Sequence, residues 1–244
     1  MVTIDVVIPA YNEEGSIARV IEALPRSLVR RIVVADNNSK DATAANASAA
    51  GAIVVPAPVQ GYGSACLAAL EHLKADPPEI VVFIDADFSD DPTELPKLIE
   101  PILAGRAAMV IGSRTILPQP PGAFTPQQRF GNALACFLMR WLFGAKFTDL
   151  GPFRAVTWAA LKRMRMSDPN FGWTVEMQIK AARLEIPFEE VAVHYRPRLC
   201  GQSKIAGTLK GTIRAGHKIL WLIFRDGILL RKPRPRLEAT AAGG

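Results

Sequence analysis

Four short apolar runs, Asp5-Val6-Val7-Ile8-Pro9, Arg31-Ile32-Val33-Val34-Ala35, Ala52-Ile53-Val54-Val55 and Ile80-Val81-Val82-Phe83-Ile84, alternate along the first third of the chain with stretches that read as helix. Runs this continuously apolar suit strands covered on both faces, and strict strand–helix alternation closes most simply into a parallel sheet with helices on either side. A helix is expected from Tyr11-Asn12-Glu13-Glu14 to Leu24 with Asn12 as its cap, an alanine-rich one after Asp41, and one over residues 65–74 that opens at Gly61-Tyr62-Gly63-Ser64.

Beyond Pro92 the rhythm loosens. The pattern predicts a helix over residues 94–103, a strand over 108–112, helices over 126–143 and 173–184, and a strand over 189–194. Leu117-Pro118-Gln119-Pro120-Pro121-Gly122 cannot continue a helix or strand and reads as a mobile loop. Residues 210–231 form a basic-flanked apolar segment around Trp221, which suits a helix lying in a membrane interface; a core or dimer helix is an equal alternative. The expected organisation is an α/β domain over residues 1–209, that helix over 210–231, and a disordered tail over 232–244.

With 49% hydrophobic and 21% charged residues, the 244-residue chain can bury one full core. Cys66, Cys136 and Cys200 are widely spaced and lack metal-ligand spacing, which argues against a disulfide framework or zinc site and for a reducing cytoplasm. The chain enters a strand at once, so no secretory signal is expected, and no segment reaches the roughly 20 apolar residues of a spanning helix. The net charge of +6 gathers late, from Arg196 to Arg236. Without a nucleic-acid motif, this favours phosphorylated lipid or an anionic membrane face over nucleic acid.

Asp85-Ala86-Asp87 closes the fourth run, at the edge of an open α/β sheet where ligands bind. Residues i and i+2 of a strand share a side, so Asp85 and Asp87 can converge on one Mg²⁺ or Mn²⁺ whose shell is completed by water and phosphate oxygens.

Taken together, Val7-Ile8-Pro9-Ala10-Tyr11-Asn12-Glu13, Ala35-Asp36-Asn37-Asn38-Ser39-Lys40-Asp41, Gly61-Tyr62-Gly63 and Asp85-Ala86-Asp87 resemble, in order and spacing, the nucleotide-sugar domain of family 2 glycosyltransferases of the GT-A fold. Gly112-Ser113-Arg114, Arg129-Phe130-Gly131-Asn132, the run from Thr148 to Arg154 and the run from Arg198 to Lys204 are similar to the branch of dolichyl-phosphate mannosyltransferases and bacterial polyprenyl-phosphate glycosyltransferases. The resemblance implies a Rossmann-like, mostly parallel sheet. It implies that Pro9, Tyr11, Glu13 and Asp36 surround base and ribose, and that Gly61 and Gly63 let backbone approach the nucleotide. Asp85, Ala86 and Asp87 would border the donor, with Asp85, Asp87 and the residue at Ser89 as the metal positions. Arg198, Ser203 and Lys204 would close over the donor phosphates, and Arg114 and Arg129 would grip an acceptor phosphate. Asn37 stands where relatives often have a second acid, and Ser89 where many have glutamine.

The expected activity is inverting, metal-dependent hexosyl transfer from GDP-mannose or UDP-glucose to a polyprenyl phosphate, by a peripheral protein at the inner face of the cell membrane; a homo-oligomer is compatible with the chain. Two alternatives remain open: a family 2 transferase acting on a hydroxyl of a lipid, saccharide or small metabolite, with Glu176 as base, and a non-catalytic nucleotide-sugar-binding module.

Overall fold

The computed structural model describes residues 2–200 and 220–225. In chain order the elements are β1 (Ile4–Ala10), α1 (Ile17–Ala23), β2 (Arg31–Asp36), α2 (Thr43–Ala49), β3 (Ile53–Pro56), α3 (Tyr62–Leu73), β4 (Ile80–Phe83), α4 (Leu95–Leu103), β5 (Met109–Ser113), α5 (Pro126–Phe143), β6 (Arg154–Thr157), α6 (Trp158–Met164), α7 (Trp173–Arg183) and β7 (Phe188–Ala192). The strands form one sheet in the order β3-β2-β1-β4-β6-β5-β7. All pairings are parallel except those of β6, which runs antiparallel to both β4 and β5. The mostly parallel α/β architecture expected from the alternating runs is the observed one.

Two apolar layers cover the sheet. One joins Val7, Val33, Val81 and Phe83 to side chains of α3, α5, α6 and α7; the other joins Val6, Ile8, Val34 and Val82 to α1, α2 and α4. Successive side chains of a strand point to opposite faces, so β1 is buried along its whole length by feeding both layers. That two-sided burial is why these strands read as continuous apolar runs.

Several local expectations change. The helix expected from residue 11 starts only at Ile17, because Asn12 takes a left-handed conformation, φ 51°, and its Oδ1 accepts the Lys40 N–H at 2.8 Å. Residues 11–16 are thereby tied to the loop after β2. The loop at residues 117–122 is anchored: Gln119 donates from Nε2 to the carbonyls of Arg114 (2.9 Å) and Val193 (3.0 Å), and its Oε1 accepts the Tyr195 N–H at 2.7 Å. β6 and α6 were not foreseen, because β6 offers only Ala155 and Val156 as apolar signal behind a charged Arg154. Arg154 is fully buried yet satisfied, donating from Nη1 to Thr174 O (3.1 Å) and from Nε to Gly151 O (3.0 Å). The helix over 126–143 is as expected, with Thr125 and Gln128 forming a capping box and Gly144 in the left-handed region, φ 72°, ending it.

Of the expected C-terminal helix, residues 220–225 are described and are helical; the rest of residues 210–231 and the tail lie outside the described residues. Leu222 and Ile223 are buried in the same layer as Trp173, so this segment presents apolar side chains to the core of the domain. Among the described residues, no helix is long and apolar enough to cross a membrane.

Candidate active site

The C-terminal ends of β1, β2 and β4 lie side by side, with Pro9 opposite Ala35, Ala10 opposite Asp36, and Val7 opposite Phe83. This register brings Tyr11, Glu13, Asp36, Asp85 and Asp87 to one sheet edge. Pro9 itself is buried within β1. Asp36 accepts the Ser39 N–H at 3.3 Å, and Asn37 is 5% exposed, donating from Nδ2 to Ala57 O and Val59 O at 2.8 Å each while Oδ1 accepts the Gly61 N–H at 2.7 Å. An aspartate at residue 37 could not donate to those carbonyls, which accounts for the amide where relatives often have an acid.

Gly61 and Gly63 have a packing reason to be glycine. A Cβ at Gly61, where φ is 146°, would collide with Pro169 O, and one at Gly63 with Asp168 O. The space that glycine leaves is filled by the 168–170 segment, and Ser64 N–H donates to Pro169 O at 2.8 Å. These glycines let α3 pack closely against that segment.

Asp85 is partly buried beneath Tyr62, whose hydroxyl donates to Oδ1 at 2.9 Å. Burial pushes the Asp85 carboxyl up to about 7, the charge of Asp87 adds to the shift, and Tyr62 and Arg114 oppose it. Ala86 is 4% exposed and packs into the core. Asp87 accepts the Ser89 N–H at 2.9 Å and faces Arg198, whose Nη2 lies 3.3 Å from Asp87 Oδ2 and 2.7 Å from Glu13 Oε1. The 195–199 segment straps this turn: Leu199 N–H donates to Asp87 O, Arg196 N–H to Ser89 O, and the Arg196 guanidinium lies 4.3 Å over the Phe88 ring. Arg198 keeps Nε and Nη1 buried without a hydrogen-bond partner among the described residues. Ser89 is buried at 3% exposure. Ser203 and Lys204 lie outside the described residues.

The donor set suits a divalent cation. Among the described residues no three His, Cys, Asp or Glu side chains converge, so the protein would contribute the Asp85–Asp87 pair and leave most coordination positions to phosphate and water, as Mg²⁺ prefers. The unsatisfied nitrogens of Arg198 beside that pair suit phosphate oxygens.

Beyond the C-terminal end of β5, a cavity of about 440 Å³ is lined by Arg114, Thr115, Gln119, Arg129, Asn132 and Thr148, among others. Arg114 and Arg129, separate in sequence, do meet here. Arg114 is held by Asp149, with Nε–Oδ2 and Nη2–Oδ1 both 2.8 Å, and its guanidinium lies 5.0 Å from the Phe124 ring centre and 4.8 Å from that of Tyr195. Burial works against its charge, but Asp149 outweighs that and raises its pKa. Arg129 is exposed on the first turns of α5.

Glu176 is not at this cavity's wall. It is 2% exposed, and its carboxylate accepts the backbone N–H groups of Ser167 (3.1 Å) and Asp168 (2.8 Å), the Ser167 hydroxyl (2.8 Å) and Lys180 Nζ (2.7 Å). A carboxylate with its lone pairs so engaged holds the 167–168 turn against α7 and is poorly placed to take a substrate proton. Two acidic residues were given no role from the sequence. Asp149 is one; the other is Asp90, 1% exposed, whose carboxylate oxygens have no hydrogen-bond partner among the described residues and whose pKa is pushed well up by burial and then by Asp85. The run of charges at Asp85, Asp87, Asp90 and Asp91 was visible, but only the fold shows that Asp90 is buried while the other three are partly exposed.

A sheet with acids at this edge and a basic cavity beside it defines a nucleotide-sugar transferase of GT-A architecture. The family model described as glycosyl transferase family 2 matches residues 5–164, and the chain belongs to that family. An uncharacterized glycosyltransferase of Mycobacterium tuberculosis is 37% identical over 213 residues, covering 87% of this chain and 94% of that protein. An undecaprenyl-phosphate mannosyltransferase of Micrococcus luteus is 27% identical over 219 residues, covering 84% and 88%. Among solved structures, glucosyl-3-phosphoglycerate synthase from M. tuberculosis in complex with phosphoglyceric acid aligns with a TM-score of 0.73 at 26% identity, over 92% of this chain and 80% of that one. The same enzyme was also solved with Mn²⁺, UDP-glucose and phosphoglyceric acid, at TM-score 0.72 and 25% identity over 91% and 78%.

These structural relatives correct the expectation of a polyprenyl-phosphate acceptor and a membrane-surface partner. The acceptor bound in them is phosphoglyceric acid, a small metabolite. In the described part of the C-terminal segment, Leu222 and Ile223 are buried while Trp221 and Phe224 are exposed.

Proposed function

We propose that this chain is a metal-dependent glycosyltransferase that moves a hexose from a nucleotide sugar, UDP-glucose by analogy with its structural relatives, to a hydroxyl of a small phosphorylated acid in the cytoplasm. The observation that carries this reading is the pairing of Arg114 and Arg129 on one cavity of about 440 Å³, with Arg114 near enough to Asp85 for their charges to interact. Such a volume suits a small ligand, and two guanidinium groups suit phosphate and carboxylate oxygens.

In this reading Tyr11, Glu13 and Asp36 border the nucleoside, Arg198 meets the diphosphate, and Asp85 and Asp87 hold Mg²⁺ or Mn²⁺. When bound, the cation neutralises charge on the departing diphosphate. Arg114 and Arg129 bind the acceptor anion and orient its hydroxyl toward the anomeric carbon. A carbon–oxygen bond forms as the sugar–diphosphate bond breaks; the nucleoside diphosphate leaves with the electron pair, and the proton of the acceptor hydroxyl passes to an oxygen of that departing diphosphate. Fixing both substrates in this alignment is the main task of the protein.

The test incubates purified protein and Mn²⁺ with radiolabelled UDP-glucose or GDP-mannose, each against 3-phosphoglycerate, glycerate and undecaprenyl phosphate. A new anionic glycoside in the aqueous phase, formed with phosphoglycerate and much less with glycerate, supports the reading. Label extracted into the organic phase only with undecaprenyl phosphate refutes it.

A further inference from the structure

The run from Thr148 to Arg154 drew attention in the sequence without receiving a role. In the structure its Asp149 is fully buried and makes three hydrogen bonds to Arg114, one of them from the Arg114 backbone N–H to Oδ2 at 2.8 Å. The same carboxylate therefore grips both the root and the tip of the arginine side chain. Phe124 and Tyr195 clamp the guanidinium, and Nη1 is left as the nitrogen without a hydrogen bond among the described residues.

Asp149 is itself held from several directions. Its N–H donates to Glu190 Oε1 at 3.3 Å, and its carbonyl accepts Gln178 Nε2 at 2.9 Å. Thr148, one residue earlier, donates to Glu190 from both N–H and hydroxyl, while the carbonyls of Leu150 and Gly151 accept from the buried guanidinium of Arg154. A buried ion pair is weak support for stability, because desolvation offsets most of the attraction. So much structure behind one carboxylate has a clearer purpose in geometry: the rotamer freedom of a long arginine is removed on folding and need not be lost on binding.

We propose that Asp149 is a positioning residue for the acceptor: it fixes Arg114 so that one guanidinium nitrogen, Nη1, faces the cavity and meets a single oxyanion oxygen of the acceptor. This rests on the cavity being the acceptor site. Arg129, exposed and with no side-chain hydrogen bond among the described residues, is then the adaptable partner, and Arg114 the one that sets where the acceptor hydroxyl lies.

The experiment measures acceptor KM, kcat and UDP affinity for the wild type, Asp149→Asn, Arg114→Ala and the double variant, with phosphoglycerate as acceptor. The expected result is a rise of about tenfold or more in acceptor KM for each single variant, unchanged UDP affinity, and a double variant no worse than Arg114→Ala alone. That non-additivity is what a residue acting through Arg114 must give, and a merely structural residue would not. Additive losses, or a fall in UDP affinity matching the rise in KM, would overturn the proposal. If Asp149→Asn does not fold, Phe124→Ala loosens the same clamp from the other side and must raise acceptor KM severalfold; no change there would overturn it equally. An unaltered KM in Arg114→Ala defeats the cavity reading and the proposal with it, whereas a raised KM in Arg114→Ala beside a silent Asp149→Asn defeats the positioning role alone.

Discussion

On the side of β1, β2 and β4 the candidate site is made from short contiguous segments that follow parallel strands: residues 9–13, Asp36 with Asn37, and Asp85 to Ser89. On the side of β5, β6 and β7 it is made from residues that meet only through tertiary structure. Arg114 follows β5, Asp149 precedes β6, Arg129 sits on α5, and Tyr195 follows β7. The first side is a local consequence of βαβ geometry, which places strand ends and helix starts at one edge. The second depends on one antiparallel strand, β6, which brings residues 149–154 between β4 and β5. What separates the two halves in construction should separate them in function, the first acting on the donor and the second on the acceptor.

Four variants sharpen or break that division. The largest effect belongs to Asp87→Ala, for which metal-dependent transfer and donor hydrolysis should both fall on the order of 10³-fold or more, because charge stabilisation of several kcal/mol is lost at about 1.36 kcal/mol per decade. Steady-state release of UDP checks this, and intact hydrolysis would dissolve the division from the donor side. Next come the acceptor arginines. Arg129→Ala should cut transfer by roughly 10-fold to 100-fold, the loss of one hydrogen bond to a charged group of about 1.5–3 kcal/mol, and spare donor hydrolysis. Equal loss of both activities would break the division from the acceptor side.

Gly63→Ala tests the packing that joins the halves. The added methyl meets Asp168 O, so thermal unfolding should show a loss of about 1–3 kcal/mol, with donor affinity per folded molecule little changed. The smallest catalytic effect is expected for Glu176→Gln. Its amide cannot accept all the N–H groups that converge on residue 176, so stability should drop by about 1–3 kcal/mol while kcat of the folded fraction stays within a few-fold of wild type. A collapse of kcat with unchanged stability would restore Glu176 as a base.

The same contrast explains what could be read in advance. The parallel strands and Asp85-Ala86-Asp87 announce themselves because two-sided burial makes a strand uniformly apolar and any charge at its end conspicuous. β6 does not, being four residues long with a buried arginine whose partners are carbonyls at residues 150, 151 and 174. Glu176 looked like a candidate base from its surroundings in sequence, but only folding reveals the backbone N–H groups that occupy it. At Gly61 and Gly63 any side chain would meet the backbone of residues 168–169, a constraint that lies more than a hundred residues away in sequence and could not be read there. Gln119 turned an apparently mobile proline-rich loop into an anchored one through a single amide that reaches both β5 and β7 ends.

The most direct test of the division is isothermal titration of UDP with Mn²⁺, and separately of phosphoglycerate, into the wild type, Asp87→Ala and Arg114→Ala. The account predicts that Asp87→Ala loses UDP–Mn²⁺ binding and keeps phosphoglycerate binding, whereas Arg114→Ala does the reverse. Loss of both ligands in either folded variant, or wild-type phosphoglycerate affinity in Arg114→Ala, would contradict it.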